Sequence, residues 1–300
     1  MICRTPQVDR LSPLRASDIG STEKSLTAIE FILEETETAN LENFRGHLAS
    51  IQGELLCDRA LQRESSLRRN KRLVVMDMDS TLIINEVIDE IARIHGVFEE
   101  VSEVTERAMN GELDFNESLV ERVKCLEGAP ESVFDDVYEV ISLTPGAPEF
   151  VWALKTMGYK VAVVSGGFNQ VTDRVAQDMG IDFAFANTLE VINGKLTGRT
   201  IGPIVNRERK RDLLESLAQT MDIELEQVIA IGDGANDLAM IDAAGLGIAF
   251  CAKPNVQKTV NAPEFPGGST INVQRLDLAV SKRTTRSLLL SYYCVHVWYT

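Results

Sequence analysis

Residues 73–82 read Leu-Val-Val-Met-Asp-Met-Asp-Ser-Thr-Leu, four apolar residues running directly into two carboxylates one residue apart. An unbroken apolar run of this length suits a strand covered on both faces, as in a parallel sheet. In extended chain, Asp77 and Asp79 would leave on the same side. Two carboxylates at the end of a buried strand are costly unless a cation or a reaction uses them. A hard magnesium ion, which takes carboxylate oxygens together with phosphate and water, meets that demand.

The same pattern recurs along the chain. Val161–Val164, Phe183–Ala186, Val228–Ile231 and Gly247–Phe250 are continuous apolar runs, several of them ending in loops rich in Asp, Ser, Gly or Asn. They predict an α/β fold built on a parallel, Rossmann-like sheet, with ligands at the carboxyl ends of its strands. One run ends in Ser165-Gly166-Gly167, where glycines let backbone amides approach an anion and the hydroxyl adds a donor; an ordinary turn reads the same. Another ends in Gly232-Asp233-Gly234-Ala235-Asn236-Asp237. Asp233 is placed there to complete a metal site begun by Asp77 and Asp79, while Asn236 and Asp237 either contact phosphate or fix neighbouring groups. Phosphate also needs a cation. Lys210 could supply it, with Arg207, Arg209 and Arg211 as rivals in a basic run that otherwise reads as a solvated helix face.

Between the first two core strands lies an insertion of about 85–144, with helical spacing in Val87-Ile88-Ile91-Ile94 and Leu119-Val123-Leu126. It is too long for a simple crossover helix. It reads as a helical cap over the active-site end that excludes water and selects substrate, or as an elaboration without that role. Upstream, residues 1–27 are polar and aperiodic and are expected to be loosely ordered. Residues 28–34 alternate like a strand, 40–51 have helical spacing, and a second short strand is expected near 55–61, before the basic link 63–72.

The chain has 300 residues, 44% of them hydrophobic, and a net charge of -15, which suits a globular protein and argues against nucleic-acid binding. Its five cysteines are scattered and form no CxxC pair, which fits reduced thiols and a cytoplasmic location. The first residues do not read as a secretory signal, and the apolar run 288–299 is shorter than the ~20 residues a membrane span needs.

Taken in order, DxDST at 77–81, Ser165-Gly166, Lys210 and GDGxND at 232–237 resemble the haloacid dehalogenase superfamily. Within it, Glu86-Val-Ile-Asp-Glu-Ile-Ala92, the segment 106–115 and Ser118-Leu-Val-Glu-Arg122-Val123 look like the cap segments of phosphoserine phosphatases. Val163–Phe168, Phe185–Asn187 and Ala249–Pro254 resemble the same family in the core. The likeness covers about 72–278. It implies Asp77 as nucleophile, Asp79 as general acid and base, and magnesium held by Asp77, the backbone carbonyl of Asp79, and Asp233. It also implies a phosphate cradle of Ser165, Gly166, Lys210 and Asn236, with Asp237 in support. Glu86 and Arg122 would grip the ammonium and carboxylate of phosphoserine, and Met109 and Phe115 would close the apolar side.

The implied reaction is hydrolysis of phosphoserine to serine, as in serine biosynthesis. Alternatives are phosphoryl transfer to an alcohol such as homoserine, and a catalytically silent amino-acid sensor. The expected partner is that small substrate, with no nucleic acid and no membrane, and the chain could pair as a homodimer. Four regions follow: 1–27, a partial ACT-like α+β segment at 28–70, a phosphatase domain at 71–280 with its cap, and a divergent tail at 281–300.

Overall fold

The computed structural model describes residues 65–260, and beyond them the backbone of four strands, at 28–33, 58–63, 270–273 and 294–299. In chain order the strands are β1 (Ala28–Leu33), β2 (Asp58–Arg63), β3 (Leu73–Met76), β4 (Lys160–Phe168), β5 (Phe183–Ile192), β6 (Lys195–Ile201), β7 (Val228–Gly232), β8 (Leu246–Phe250), β9 (Thr270–Val273) and β10 (Cys294–Tyr299). The helices are α1 (Val87–His95), α2 (Phe98–Met109), α3 (Phe115–Cys125), α4 (Val133–Val140), α5 (Ala147–Thr156), α6 (Asn169–Met179), α7 (Arg207–Thr220), α8 (Leu238–Ala243) and α9 (Pro254–Val260).

The main sheet has the order β6-β5-β4-β3-β7-β8-β9. Its pairings are parallel except β5 with β6. Alternation along β3 explains why such strands read as unbroken apolar runs. Val74 and Met76 enter one apolar cluster and Leu73 and Val75 the other, on opposite faces of the sheet. The second cluster is completed by Leu213, Leu214 and Leu217 of α7 and Ile241 of α8. The first is continuous with the inserted helices through Ile88, Ile91, Leu119, Val123 and Phe134, so cap and sheet share one core.

The cap joins the sheet domain through two antiparallel connections. Ile83 bridges Leu143, with Ile84 N–H donating to the Ser142 carbonyl at 3.0 Å and Thr144 N–H to that of Leu82 at 2.9 Å. The insertion expected from 85 to 144 therefore has its joint at 82–84 and 142–144. A second tie lies far from this joint. Gly128 N–H donates to the Leu196 carbonyl and Leu196 N–H to that of Ala129, at 2.9 and 2.8 Å, holding the cap to the β5–β6 hairpin.

That hairpin is absent from the sequence reading, which ends the third core strand at Ala186; β5 continues to Ile192 and turns at Asn193 and Gly194, both at positive φ. Asn-Gly between apolar residues is the hairpin signal that would have found it. β1 and β2 flank β10 in a separate parallel three-stranded sheet, so residues 294–299 of the divergent tail form a strand. The second N-terminal strand runs 58–63 rather than 55–61. Residues 1–27, the helix expected over 40–51 and the remainder of the tail lie outside the described residues.

Candidate active site

The chain leaves the extended conformation directly after β3, and Ser80 sits at φ 56°. Asp77 and Asp79 then engage different hydrogen-bond partners. Asp77 accepts from the N–H of Met78 at 2.7 Å and pairs with Lys210 Nζ at 2.8 Å. Asp79 accepts from the N–H of Val87 at 3.1 Å and from the Ser165 hydroxyl at 3.3 Å, so it reaches both the cap entrance and the end of β4.

Lys210 is fully buried, its ammonium held between Asp77 and Asp237, the latter at 2.7 Å. Asn206 caps α7 by accepting from Arg209 N–H at 3.0 Å, which sets the helical phase. In that phase Lys210, Leu213, Leu214 and Leu217 share the buried face, whereas Arg207 and Arg211 are exposed and Arg211 pairs with Glu215. The i, i+3, i+4, i+7 spacing was the sequence signal that separates Lys210 from its rivals.

β7 delivers the third cluster. Asp237 accepts from Gly234 N–H at 2.9 Å, and a side chain at Gly232 would stand 2.4 Å from the Asp237 carboxyl carbon, so only glycine fits there. Asp233 accepts from the Thr81 hydroxyl at 3.3 Å, and Lys253 Nζ lies 3.9 Å from it. Asp77, Asp233 and Asp237 are all buried and offer oxygens within 4.8 Å of one another. The Asp79 carboxylate, engaged with Val87 and Ser165, is not among them.

This crowding shows in the proton affinities. Burial and the charge of Asp237 push the Asp77 carboxyl well above the usual carboxylate range, against the pull of Lys210. Burial and Asp237 push Asp233 up to about 6. Burial and Glu86 push Asp79 up to about 7. Burial alone would depress Lys210, but Asp237 and Asp77 outweigh it and keep the ammonium charged. Buried carboxylates that resist ionisation fit a hard divalent cation, which would restore their charged state.

The cap brings two of its expected residues over this centre. An Asp114–Glu117 capping box starts α3, so Phe115 is its first residue, and the Phe115 ring lies 3.1 Å from where a Cβ on Gly166 would be. Asn236 Nδ2 is 3.7 Å from the same point. Arg122 is half-buried, its Nε donating to the Ser118 carbonyl at 3.4 Å; burial depresses the guanidinium and the charges of Glu86, Asp89 and Asp79 raise it. Glu86 accepts from the Ser80 hydroxyl at 3.0 Å. Met109, by contrast, is 82% exposed at the end of α2, leaving Phe115 as the apolar cap residue against the carboxyl end of β4. Thr81 and Asn187, both buried and hydrogen-bonded to site elements, were not singled out in the sequence as site residues, because their partners are distant in the chain.

The family model of haloacid dehalogenase-like hydrolases matches residues 71–245. The chain belongs to the haloacid dehalogenase-like hydrolases. Among curated relatives, phosphoserine phosphatase of Archaeoglobus fulgidus is 49% identical over 228 residues, covering 76% of this chain and 66% of that protein. Phosphoserine phosphatase of Streptomyces coelicolor is 48% identical over 252 residues, covering 84% of this chain and 59% of that one. The chain thus spans about three fifths to two thirds of the length of these two relatives. A solved structure described as a phospho-aspartyl intermediate analogue of phosphoserine phosphatase superposes with a TM-score of 0.60 at 46% identity, covering 63% of this chain and 90% of that one. Among the described residues, no helix is long and apolar enough to cross a membrane.

Proposed function

We propose that this chain hydrolyses O-phospho-L-serine to serine and phosphate through an aspartyl-phosphate on Asp77. The observation that carries the reading is the pairing of buried Asp77 and Lys210 at 2.8 Å, with a separate carboxylate, Asp79, pushed up to about 7 nearby. One carboxylate is held for attack and the other is poised to exchange a proton near neutral pH. The names of the relatives, and the intermediate analogue among the solved structures, support the same chemistry.

In the first step an Asp77 oxygen attacks phosphorus, and Asp79 gives its proton to the departing seryl oxygen. In the second, Asp79 takes a proton from water as the water attacks the phosphoaspartate, releasing phosphate and restoring Asp77. The Ser165 hydroxyl, Gly166 N–H, Lys210 and Asn236 bind the phosphoryl oxygens, and Asp237 keeps Lys210 in place. Glu86 pairs with the substrate ammonium and Arg122 with its carboxylate, while Phe115 excludes water. Asp77, Asp233 and the main-chain carbonyl of Asp79 are the groups that would hold magnesium, whose charge offsets the repulsion between phosphate and carboxylate. Residues 71–280 form the phosphatase domain in this reading, and scattered cysteines without a CxxC pair support a cytoplasmic setting.

A phosphatase screen over small phosphomonoesters tests this directly. Magnesium-dependent release of phosphate from L-phosphoserine, lost in Asp77→Asn, is the expected result. Release without magnesium, or full activity in that variant, overturns it.

A further inference from the structure

Asn187, on β5 and 2% exposed, uses both ends of its side-chain amide. Its Nδ2 donates to the Gly166 carbonyl at 2.8 Å and its Oδ1 accepts from Val205 N–H at 2.8 Å. Only the nitrogen can donate and only the oxygen can accept here, so the amide orientation is fixed by its partners. The peptide whose carbonyl Asn187 holds is the one joining Gly166 to Gly167. Its N–H, at the other end, donates to Ser165 Oγ at 2.8 Å. With that lone pair taken, the Ser165 hydroxyl proton is directed outward, and in this structure it is given to Asp79. Gly167 also has no room for a side chain, since a Cβ would stand 2.7 Å from the Asp79 carboxylate.

A peptide flanked by two glycines has little conformational preference of its own. Without a donor on the Gly166 carbonyl it could flip, presenting a carbonyl to Ser165 Oγ. The hydroxyl would then donate backwards and turn its lone pairs toward an incoming phosphoryl oxygen. We infer that Asn187 is a positioning residue that holds the Gly166–Gly167 peptide in one orientation and thereby makes Ser165 a hydrogen-bond donor to phosphate. Through Val205, the same side chain ties the carboxyl end of β4 to the segment leading into α7 and Lys210. The inference rests on the reading of Ser165 as a phosphate ligand.

The test is a double-mutant cycle on inorganic phosphate affinity, measured by calorimetry with magnesium present. Asn187→Asp keeps the acceptor for Val205 and removes the donor to Gly166; Asn187→Ser, short and neutral, is the companion if the aspartate variant folds poorly. Asn187→Asp and Ser165→Ala should each weaken phosphate binding on the order of tenfold, the scale of one hydrogen bond to an anion. The double variant should be no weaker than Ser165→Ala alone, because Asn187 acts through Ser165. Parental phosphate affinity in the Asn187 variants, or a combined loss equal to the product of the two, overturns the inference; a purely structural or electrostatic role would give that product. A parent that binds phosphate but leaves phosphoserine intact overturns the substrate reading alone. A parent that turns over phosphoserine while the cycle is additive overturns only the role of Asn187.

Discussion

An ammonium buried between two carboxylates is stable only while all three groups are present. Replacing Lys210 by Met would leave Asp77 and Asp237 facing each other without a cation, and breaking a buried pair costs about 3–5 kcal/mol. A chemical-denaturation midpoint lowered to match, together with loss of turnover, is the expected outcome; unchanged stability would show that the pair is not formed. Gly232→Ala places a methyl against the Asp237 carboxyl and should cost roughly 1–3 kcal/mol by the same assay, as overpacked sites do. Asp79→Asn should lower kcat about 10²–10⁴-fold, the usual worth of a positioned acid or base. Thermal unfolding of that variant at pH 5, where Asp79 of the parent is protonated, should stay close to the parent, because the amide oxygen can still accept from Val87 N–H.

At the level of elements, the cap carries substrate choice, and Arg122 on α3 is its clearest instrument. Arg122→Lys keeps the charge but loses the planar fork, so KM for phosphoserine should rise while hydrolysis of a phosphomonoester lacking a carboxylate is little changed; equal effects on both substrates would contradict the assignment. The central strands were legible because burial on both faces makes them continuous apolar runs, as in Leu73–Met76 and Val228–Ile231. The carboxylate loops were legible because charge has no packing reason to follow such a run. The Asn193–Gly194 hairpin and its tie to Gly128 and Ala129 were not, since pairing between distant segments leaves no local period. For the same reason the partners of Thr81 and Asn187 could not be read, whereas the helical phase that Lys210 shares with Leu213, Leu214 and Leu217 was present in the sequence.

For the molecule as a whole, the raised carboxyls make a sign-definite statement about pH. Asp79 and Asp233 bind protons in the folded state up to about 7 and about 6, whereas in the unfolded chain they release them near 4. Between those values the folded state holds more protons, so stability falls as pH rises through this window. The melting temperature of the metal-free protein should therefore drop between about pH 4 and 7, and magnesium should restore part of it at the upper end, by binding only the folded state. A metal-free melting temperature that climbs over the same range would contradict the buried carboxylate cluster. The central claim, that Asp77 becomes phosphorylated, is tested most directly by acid-quenching the enzyme during turnover of ³²P-labelled phosphoserine and mapping the label by peptide digestion. Label that is released by hydroxylamine, lies on the peptide containing Asp77 and is absent from Asp77→Asn is the result predicted. Phosphoserine consumed with no label on that peptide would contradict it.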